Sequence, residues 1–149
     1  MARSPSPDAD VPALVRIRGL RLEAGTPRGT AHILRGVDLD IGRGRIMGVV
    51  GESGSGKSSL ANCLLRLLPA NITALEGHVE FDGVDLLRLS EAQMADWRGR
   101  RLAMIFQDPM SALNPLFSVA THLVDVLRRR HPALSRPQAM ERARQRGMA

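Results

Sequence analysis

Three segments in the first part of the chain alternate apolar and polar positions, the pattern of a strand with one exposed face. The alternation runs through Ala13–Glu23 and His32–Ile41, and the glycines at Gly25 and Gly29 predict a turn between them. It returns over Gly77–Gly83, where the closing Asp-Gly pair is a strong turn signal. We therefore predict three half-exposed strands in this region.

Two shorter segments, Arg45–Val50 and Leu102–Phe106, are mostly or wholly apolar. Short runs of this kind are typical of strands that are buried on both faces in a parallel sheet. A helical pattern follows the first run over Ser59–Leu68, and Pro69 predicts its end. We therefore expect a buried strand, a loop and a helix in direct succession over residues 45–68.

Three further helices are predicted in the rest of the chain. Ser90 has the residue type of an N-cap, and the helix that it begins should run to Trp97. The pattern over Val119–Arg130 predicts an amphipathic helix. Ser135 should cap the last helix, with Pro137 in its first turn.

The loop between the first buried strand and its helix carries the most specific motif of the chain. Residues 51–58 fit the pattern G-x-x-x-x-G-K-[ST] at every fixed position, and Lys57 is the only lysine. Glycines let backbone N–H groups approach an anion closely, and the N-terminus of the following helix adds its positive dipole end. The predicted phosphate-binding residues are Gly51, Glu52, Ser53, Gly54, Ser55, Gly56, Lys57, Ser58 and Ser59.

Two side chains of this loop have distinct predicted roles. The Lys57 ammonium would reach the β- and γ-phosphates of a nucleoside triphosphate, and the Ser58 hydroxyl would be a ligand of the Mg²⁺ that bridges them. The alternative is a Gly/Ser-rich turn that matches by chance. The strand predicted before the loop and the helix predicted after it argue against chance.

The charge of the chain is unevenly distributed. The net charge is +6, and the segment from residue 128 to 149 holds seven arginines and one acid, so the remainder is balanced. This segment has no aromatic residues for base stacking, so we favour a solvated helix face and do not expect nucleic acid as a partner. The single cysteine, Cys63, leaves no disulfide within the chain, and we predict a small buried apolar side chain there.

A second motif, Phe106–Pro115, together with residues 51–58, resembles the nucleotide-binding subunit of ABC transporters. The sequence Gln-Asp-Pro-Met-Ser-Ala-Leu-Asn-Pro looks most like the ATPases of oligopeptide, dipeptide and nickel importers. The resemblance implies an α/β fold, that of an ABC-type P-loop NTPase domain, truncated before the signature and Walker B regions. The composition of residues 1–12 predicts a disordered leader. For the rest of the chain the resemblance implies a partial ABC ATP-binding domain, with an ATP-binding core over 13–106 and the Q-loop with the start of a helical subdomain over 107–149.

The resemblance also implies ligands, partners and location. The cofactors would be ATP and Mg²⁺, and Gln107 matches the Q-loop glutamine that contacts Mg²⁺ and the attacking water. Lys57 and Gln107 would therefore be the catalytic residues. The implied partners are ABC permease subunits contacted through the Q-loop and helical region, a second ATPase subunit, identical or different, and indirectly an extracytoplasmic solute-binding protein. The implied location is the cytoplasmic side of the bacterial inner membrane, as a peripheral protein.

The chain departs from the family pattern in several places. Ala24 stands where the family has an adenine-stacking aromatic, with His32 or an apolar contact as substitutes. The signature, the Walker B carboxylates and the switch histidine are not found in the sequence. Asp108 is not expected to be the catalytic base, and surface or packing roles are favoured for His122 and His131. We therefore expect this chain alone to bind Mg-ATP weakly and to hydrolyse it negligibly.

Two other functional classes remain open from the sequence. A small P-loop kinase would need arginines in a mobile lid, for which Arg98, Arg100 and Arg101 are candidates, but it would leave Gln107–Pro115 unexplained. A non-catalytic nucleotide-binding or regulatory fragment would use the basic tail as an interaction surface.

Overall fold

The computed structural model describes residues 12–108 and 113–147, and the side chains of these ranges up to residue 145. The predicted leader over 1–12 lies almost entirely outside the described residues, as do residues 109–112 of the second motif. The chain divides into two compact units, Met1–Met94 and Ala95–Ala149. The predicted division between an ATP-binding core and a helical subdomain at residue 106 stays a prediction.

The first unit is built on an antiparallel sheet of four strands in the order β2-β1-β3-β4. The strands are β1 Ala13–Thr26, β2 Gly29–Gly42, β3 Ile72–Phe81 and β4 Val84–Asp85. The three strands predicted from alternation are confirmed, and all of them are longer than predicted. Asp82 and Gly83 both have positive φ, 52° and 81°, which makes the tight turn between β3 and β4.

The buried residues of β1 do not all lie at alternating positions, and a register shift in the strand explains this. Ile17 and Leu20 are both fully buried although they are three positions apart. The pairing of β1 with β2 shifts between these two residues, so the side chains beyond the shift return to the buried face. On β3, Gly77 faces the shifted segment, and a Cβ at Gly77 would lie 2.7 Å from the Arg18 carbonyl oxygen.

The helix that follows the phosphate loop, α1, spans Lys57–Leu65 and ends before the predicted Leu68. Arg66 adopts the left-handed conformation, with φ 50°, and its N–H donates to the Cys63 carbonyl. The Leu67 N–H donates to the Asn62 carbonyl at 3.0 Å, which completes a Schellman ending. The Arg66 guanidinium donates to the carbonyl of Leu89 at 2.5 Å. These bonds end the helix earlier than Pro69 would require.

The remaining helices agree with the sequence pattern. They are α2 Glu91–Trp97, α3 Val119–Arg130 and α4 Arg136–Gly147, with a 3₁₀ turn at Leu86–Arg88. Ser90 and Ser135 each form a capping box with the glutamine three residues later, through Ser90–Gln93 and Ser135–Gln138 hydrogen bonds. In the second unit α3 packs on α4, and Val124, Ala139 and Ala143 are buried.

The two predicted buried strands are wrong. Arg45–Val50 and Leu102–Phe106 are not strands, and Ile46, Val50 and Ile105 are almost fully exposed. A strand buried on both faces needs hydrogen-bonded neighbours at both edges and cover on both sides. Within the described ranges the sheet consists of β2, β1, β3 and β4, and it offers neither segment a neighbour.

Candidate phosphate-binding site

The phosphate loop of the first unit lies against strand β2. Gly54 and Gly56 have positive φ angles of 81° and 90°, which only glycine adopts without strain. A Cβ at Gly56 would lie 3.0 Å from Leu34 Cδ2 and 3.2 Å from the Ile33 carbonyl oxygen. The second glycine of the motif is therefore required both by its backbone angle and by the close approach of β2.

Lys57 is folded back into the loop. Its Nζ donates to the Gly51 carbonyl at 2.8 Å, to the Glu52 carbonyl at 2.6 Å and to Ser55 Oγ at 3.2 Å. The Ser55 N–H donates to the Glu52 carbonyl at 3.2 Å, so the loop also closes on itself through its backbone. The lysine ammonium thus lies at the centre of the loop, where the motif predicts the phosphate-binding charge.

The N-terminus of α1 is suited to an anion. Gly56 is its N-cap and has no side-chain cap, and the first turn of the helix contains no acidic residue. The backbone N–H groups of a first helical turn have no partners within the helix, and the dipole places partial positive charge there. Ser58 is exposed in this turn, so its hydroxyl is accessible to a ligand.

The described residues contain no group of three or more His, Cys, Asp or Glu side chains that could hold a metal ion. A magnesium ion held by phosphate oxygens and the Ser58 hydroxyl does not need such a cluster. The donor set present is therefore compatible with metal bound together with a nucleotide.

Cys63 is fully buried on α1. Burial raises the pKa of its thiol to about 11, so the nucleophilic thiolate is scarcely populated at neutral pH. The prediction of a small buried apolar side chain is confirmed.

A small cavity lies in the same unit, beside the first turns of α1. Its volume is about 180 Å³, and Ala24, the residue at the place of the family's aromatic, is in its wall. Its lining is Leu22, Ala24, Ile33, Ser59, Asn62, Leu68, Pro69, Asn71 and Ile72. His32 instead pairs with Glu23, with Nδ1 2.8 Å from Oε1.

This cavity is not predicted from the sequence. Ser59 and Asn62 are three residues apart on α1 and therefore share a face, which is the one local signal for it. Asn71, which also lines the cavity, is held by hydrogen bonds to Gly25, which is distant in sequence. The Asn71 side-chain Nδ2 donates to the Gly25 carbonyl at 3.2 Å, and the Asn71 backbone carbonyl accepts from the Gly25 N–H at 2.8 Å.

The remaining predicted residues lie in the second unit. Gln107 is exposed and follows the non-strand segment 103–106, so its role stays a prediction. His122 contacts the Phe117 ring edge-on at 6.0 Å between centroids, and its Nε2 lies 3.2 Å from the Asn114 carbonyl. The surface or packing role favoured for His122 and His131 stays a prediction, and His131 occupies the C-cap of α3.

Comparison with known proteins places this loop in a family. Residues 34–148, most of the chain, match the family model described as ABC transporter. The chain belongs to the ABC transporter family. The family assignment does not favour the small P-loop kinase, which remained open from the sequence.

Curated relatives of this ABC transporter chain are named as ATP-binding proteins of peptide transport. The chain is 44% identical to the probable D,D-dipeptide transport ATP-binding protein DdpD of Escherichia coli (strain K12), over 85% of this chain and 39% of the relative. It is 37% identical to the oligopeptide transport ATP-binding protein OppD of Bacillus subtilis (strain 168), over 89% of this chain and 37% of the relative. The chain thus spans about two-fifths of the length of these relatives.

Solved structures show the same fold. The dimeric structure of MJ0796, a bacterial ABC transporter cassette, aligns with a TM-score of 0.74 at 23% identity and covers 88% of this chain and 54% of that one. A post-hydrolysis structure of MJ0796 bound to ADP and Pi aligns with the same TM-score at 24% identity. The predicted fold class, an α/β ABC-type nucleotide-binding domain, is confirmed.

Proposed function

We propose that this chain is the ATP-binding part of an ABC importer ATPase subunit that serves the uptake of peptides or nickel. The observation that carries the proposal is the Lys57 ammonium, which lies inside a glycine loop at the uncapped N-terminus of α1. The names of the curated relatives support peptides as the cargo class.

In this proposal the loop residues bind the phosphates and the metal. Backbone N–H groups of residues 52–58 would hold phosphate oxygens, and the Lys57 ammonium would hold the β- and γ-phosphates. The Ser58 hydroxyl would hold Mg²⁺, with Gln107 as a further ligand by family resemblance. Bound Mg²⁺ would neutralise phosphate charge. In the absence of nucleotide the Lys57 ammonium already has hydrogen-bond acceptors, the carbonyl groups of Gly51 and Glu52.

Hydrolysis by this chain alone is proposed to be negligible. Phosphoryl transfer to water needs a group that orients or activates the water, in addition to charge neutralisation. Gln107 is the one candidate for this role that the family resemblance assigns to the chain. A second ATPase subunit, permease subunits and an extracytoplasmic solute-binding protein are the proposed partners, at the cytoplasmic face of the inner membrane.

Equilibrium titration of the chain with Mg-ATP tests this proposal. We expect saturable binding that Lys57→Ala weakens at least tenfold, because the one loop ammonium is lost. Arg35→Ala is the matched control, since it removes an exposed cation from strand β2 and should leave the affinity unchanged. Equal affinities for the wild-type and Lys57→Ala chains would contradict phosphate binding by the loop.

A parallel assay of phosphate release tests the second half of the proposal. The expected rate is at the background level. An ATPase activity that disappears with Lys57→Ala would show that this chain completes its own catalytic site.

A further inference from the structure

Arg66 joins the end of helix α1 to the segment that follows strand β4. Its guanidinium donates to the carbonyl of Leu89 at 2.5 Å and to that of Leu86 at 3.4 Å. Its Nη2 also lies 3.9 Å from Oε2 of Glu91, the first residue of α2. The Arg66 side chain is 24% exposed, so these contacts are largely shielded from water. One side chain therefore connects α1 with the 3₁₀ turn and with α2.

The backbone of Arg66 is held in an uncommon conformation. Its φ of 50° lies in the left-handed region, which glycine adopts without strain and arginine does not. Helices commonly end on a glycine at such a position. An unfavourable backbone angle of this kind persists where surrounding contacts hold it, and it is a reason to look for a function. The function would lie in the guanidinium, which a glycine would not provide.

A cavity separates part of α1 from the sheet. Ser59 and Asn62 line it from the helix, and Leu22, Ile33 and Ile72 line it from the three long strands. Its volume of about 180 Å³ is more than one water molecule needs. Side-chain packing along the first two turns therefore leaves α1 room to tilt toward the sheet.

The two ends of α1 are fixed by different contacts. At the N-terminal end Gly56 lies close to Ile33 and Leu34 of β2, and at the C-terminal end Arg66 bonds to the segment 86–91. The helix is about 13 Å long, from its 9 residues and the 1.5 Å rise per residue. If the C-terminal end were released, a rigid helix beside a cavity would tilt, and its N-terminal end would move as well.

We propose that Arg66 is a positioning residue for the phosphate loop. By fixing the C-terminal end of α1, its guanidinium sets the direction in which the N–H groups of the first turn point. Those directions matter because a binding site has to be held within about 0.5 Å of its productive geometry. Arg66 lies at the opposite end of the helix from the loop, so it acts through α1. The consequence for nucleotide affinity rests on the proposed phosphate binding by the loop.

NMR spectroscopy of the nucleotide-free chain tests the positioning directly. Arg66→Gly removes the guanidinium and suits the left-handed backbone, so this variant should retain the fold. We expect it to shift the resonances of the Gly56 amide and the Leu34 methyl groups, which lie at the other end of α1. Arg88→Gln is the matched control. It removes an arginine of the same segment that is 76% exposed, and it should leave these resonances unchanged.

Titration with Mg-ATP measures the consequence for binding. Arg66→Gly should weaken the affinity about fivefold, because the N–H groups of the first turn lose their alignment. Arg66→Lys should recover part of the affinity, since its ammonium can donate to one of the same carbonyls but lacks the planar fork of donors. Arg88→Gln should bind as tightly as the wild-type chain. A purely structural role of Arg66 would instead lower the free energy of unfolding and leave the affinity of the folded chain unchanged.

Two results would overturn the proposal. One is a set of Gly56 and Leu34 resonances that Arg66→Gly leaves in place, and the other is an affinity of Arg66→Gly for Mg-ATP equal to that of the wild-type chain. A wild-type chain that does not bind Mg-ATP, or binds it equally well with Lys57→Ala, would contradict the proposed function. The resonance shifts would then still decide whether Arg66 positions the loop.

Discussion

At the scale of single residues, Gly56 couples the phosphate loop to the sheet. Its φ of 90° and the contacts that a Cβ would make with Leu34 and Ile33 act together. Gly54 has a similar φ, 81°, but a Cβ there would meet nothing within 4 Å. An alanine at Gly54 would therefore be destabilising through its backbone angle alone. An alanine at Gly56 would be destabilising through its backbone angle and through crowding against β2.

This difference gives a paired prediction for alanine substitutions. Gly54→Ala should destabilise the fold by about 1 kcal/mol, the cost of a left-handed backbone angle for alanine. Gly56→Ala should cost about 1–3 kcal/mol more because of overpacking against β2. Urea denaturation of both variants measures the two free energies of unfolding. If both variants lost the same free energy of unfolding, β2 would accommodate the added methyl group of Gly56→Ala without an energetic cost.

Among the described carboxylates, Asp85 has a pKa that is lowered by its hydrogen bonds. Partial burial acts to raise its pKa, but hydrogen bonds from His78 and from the N–H groups of Leu87 and Val79 outweigh burial, so the pKa lies below the ordinary value. A lowered pKa in the folded state means that the stabilisation is complete above the unfolded pKa, about 3.9. It is lost as the pH falls through the folded value.

The corresponding variant is Asp85→Asn. At pH 7 it should unfold more easily than the wild-type chain, and the difference in free energy of unfolding should shrink as the pH is lowered below about 4. Asp96→Asn, at an exposed position of α2, is the control for loss of a carboxylate. A difference between Asp85→Asn and the wild type that is constant from pH 7 to pH 2 would contradict the assignment.

At the scale of elements, the register shift in β1 depends on the glycine opposite it. Gly77 has φ 104°, and a Cβ there would lie 2.7 Å from the Arg18 carbonyl oxygen and 2.8 Å from that of Gly19. Both atoms are backbone, so neither can move aside without disturbing the β1–β3 ladder. The register between β1 and β3 therefore requires glycine at position 77.

We predict that Gly77→Ala destabilises the chain by about 3 kcal/mol, from the strained angle and the backbone crowding together. Gly83→Ala, at φ 81° with nothing within 4 Å, should cost about 1 kcal/mol. Thermal denaturation followed by circular dichroism compares the two. A smaller loss for Gly77→Ala than for Gly83→Ala would show that the ladder adjusts freely at this point.

The elements that the sequence predicts correctly are those whose signals are local. Alternation marks β1, β2 and β3, and the N-cap serines Ser90 and Ser135 mark the starts of α2 and α4. The sequence pattern placed the end of α1 at Leu68, beyond its observed end at Leu65. Arg66 adopts a left-handed backbone conformation, which is not expected from an arginine. In the loop, the motif predicts the binding residues, but not that Lys57 bonds the loop carbonyls, because those contacts arise from the folded turn.

At the scale of the whole chain, the largest difference from expectation concerns segments 45–50 and 102–106. An apolar run indicates a buried strand only if neighbours from elsewhere in the sequence lie on both sides, and sequence pattern carries no information about those neighbours. Ile46 and Val50 are consequently exposed beside the phosphate loop, and Ile105 and Phe106 are exposed before Gln107.

Exposed apolar runs of this kind predict self-association. Light scattering should show concentration-dependent association of the wild-type chain. Ile46→Arg with Val50→Arg should reduce it without lowering the free energy of unfolding, because neither side chain is buried. Arg35→Gln with Arg28→Gln lowers the charge elsewhere on the first unit and should not reduce association. A monodisperse wild-type chain at all concentrations would contradict this prediction.

Amide hydrogen exchange would show whether Mg-ATP binds at the loop of residues 51–59, because it reports the position of binding as well as its occurrence. We expect Mg-ATP to slow exchange over residues 52–60 and Lys57→Ala to remove this protection. Protection confined to other segments, or the same protection in the Lys57→Ala chain, would contradict binding at this loop.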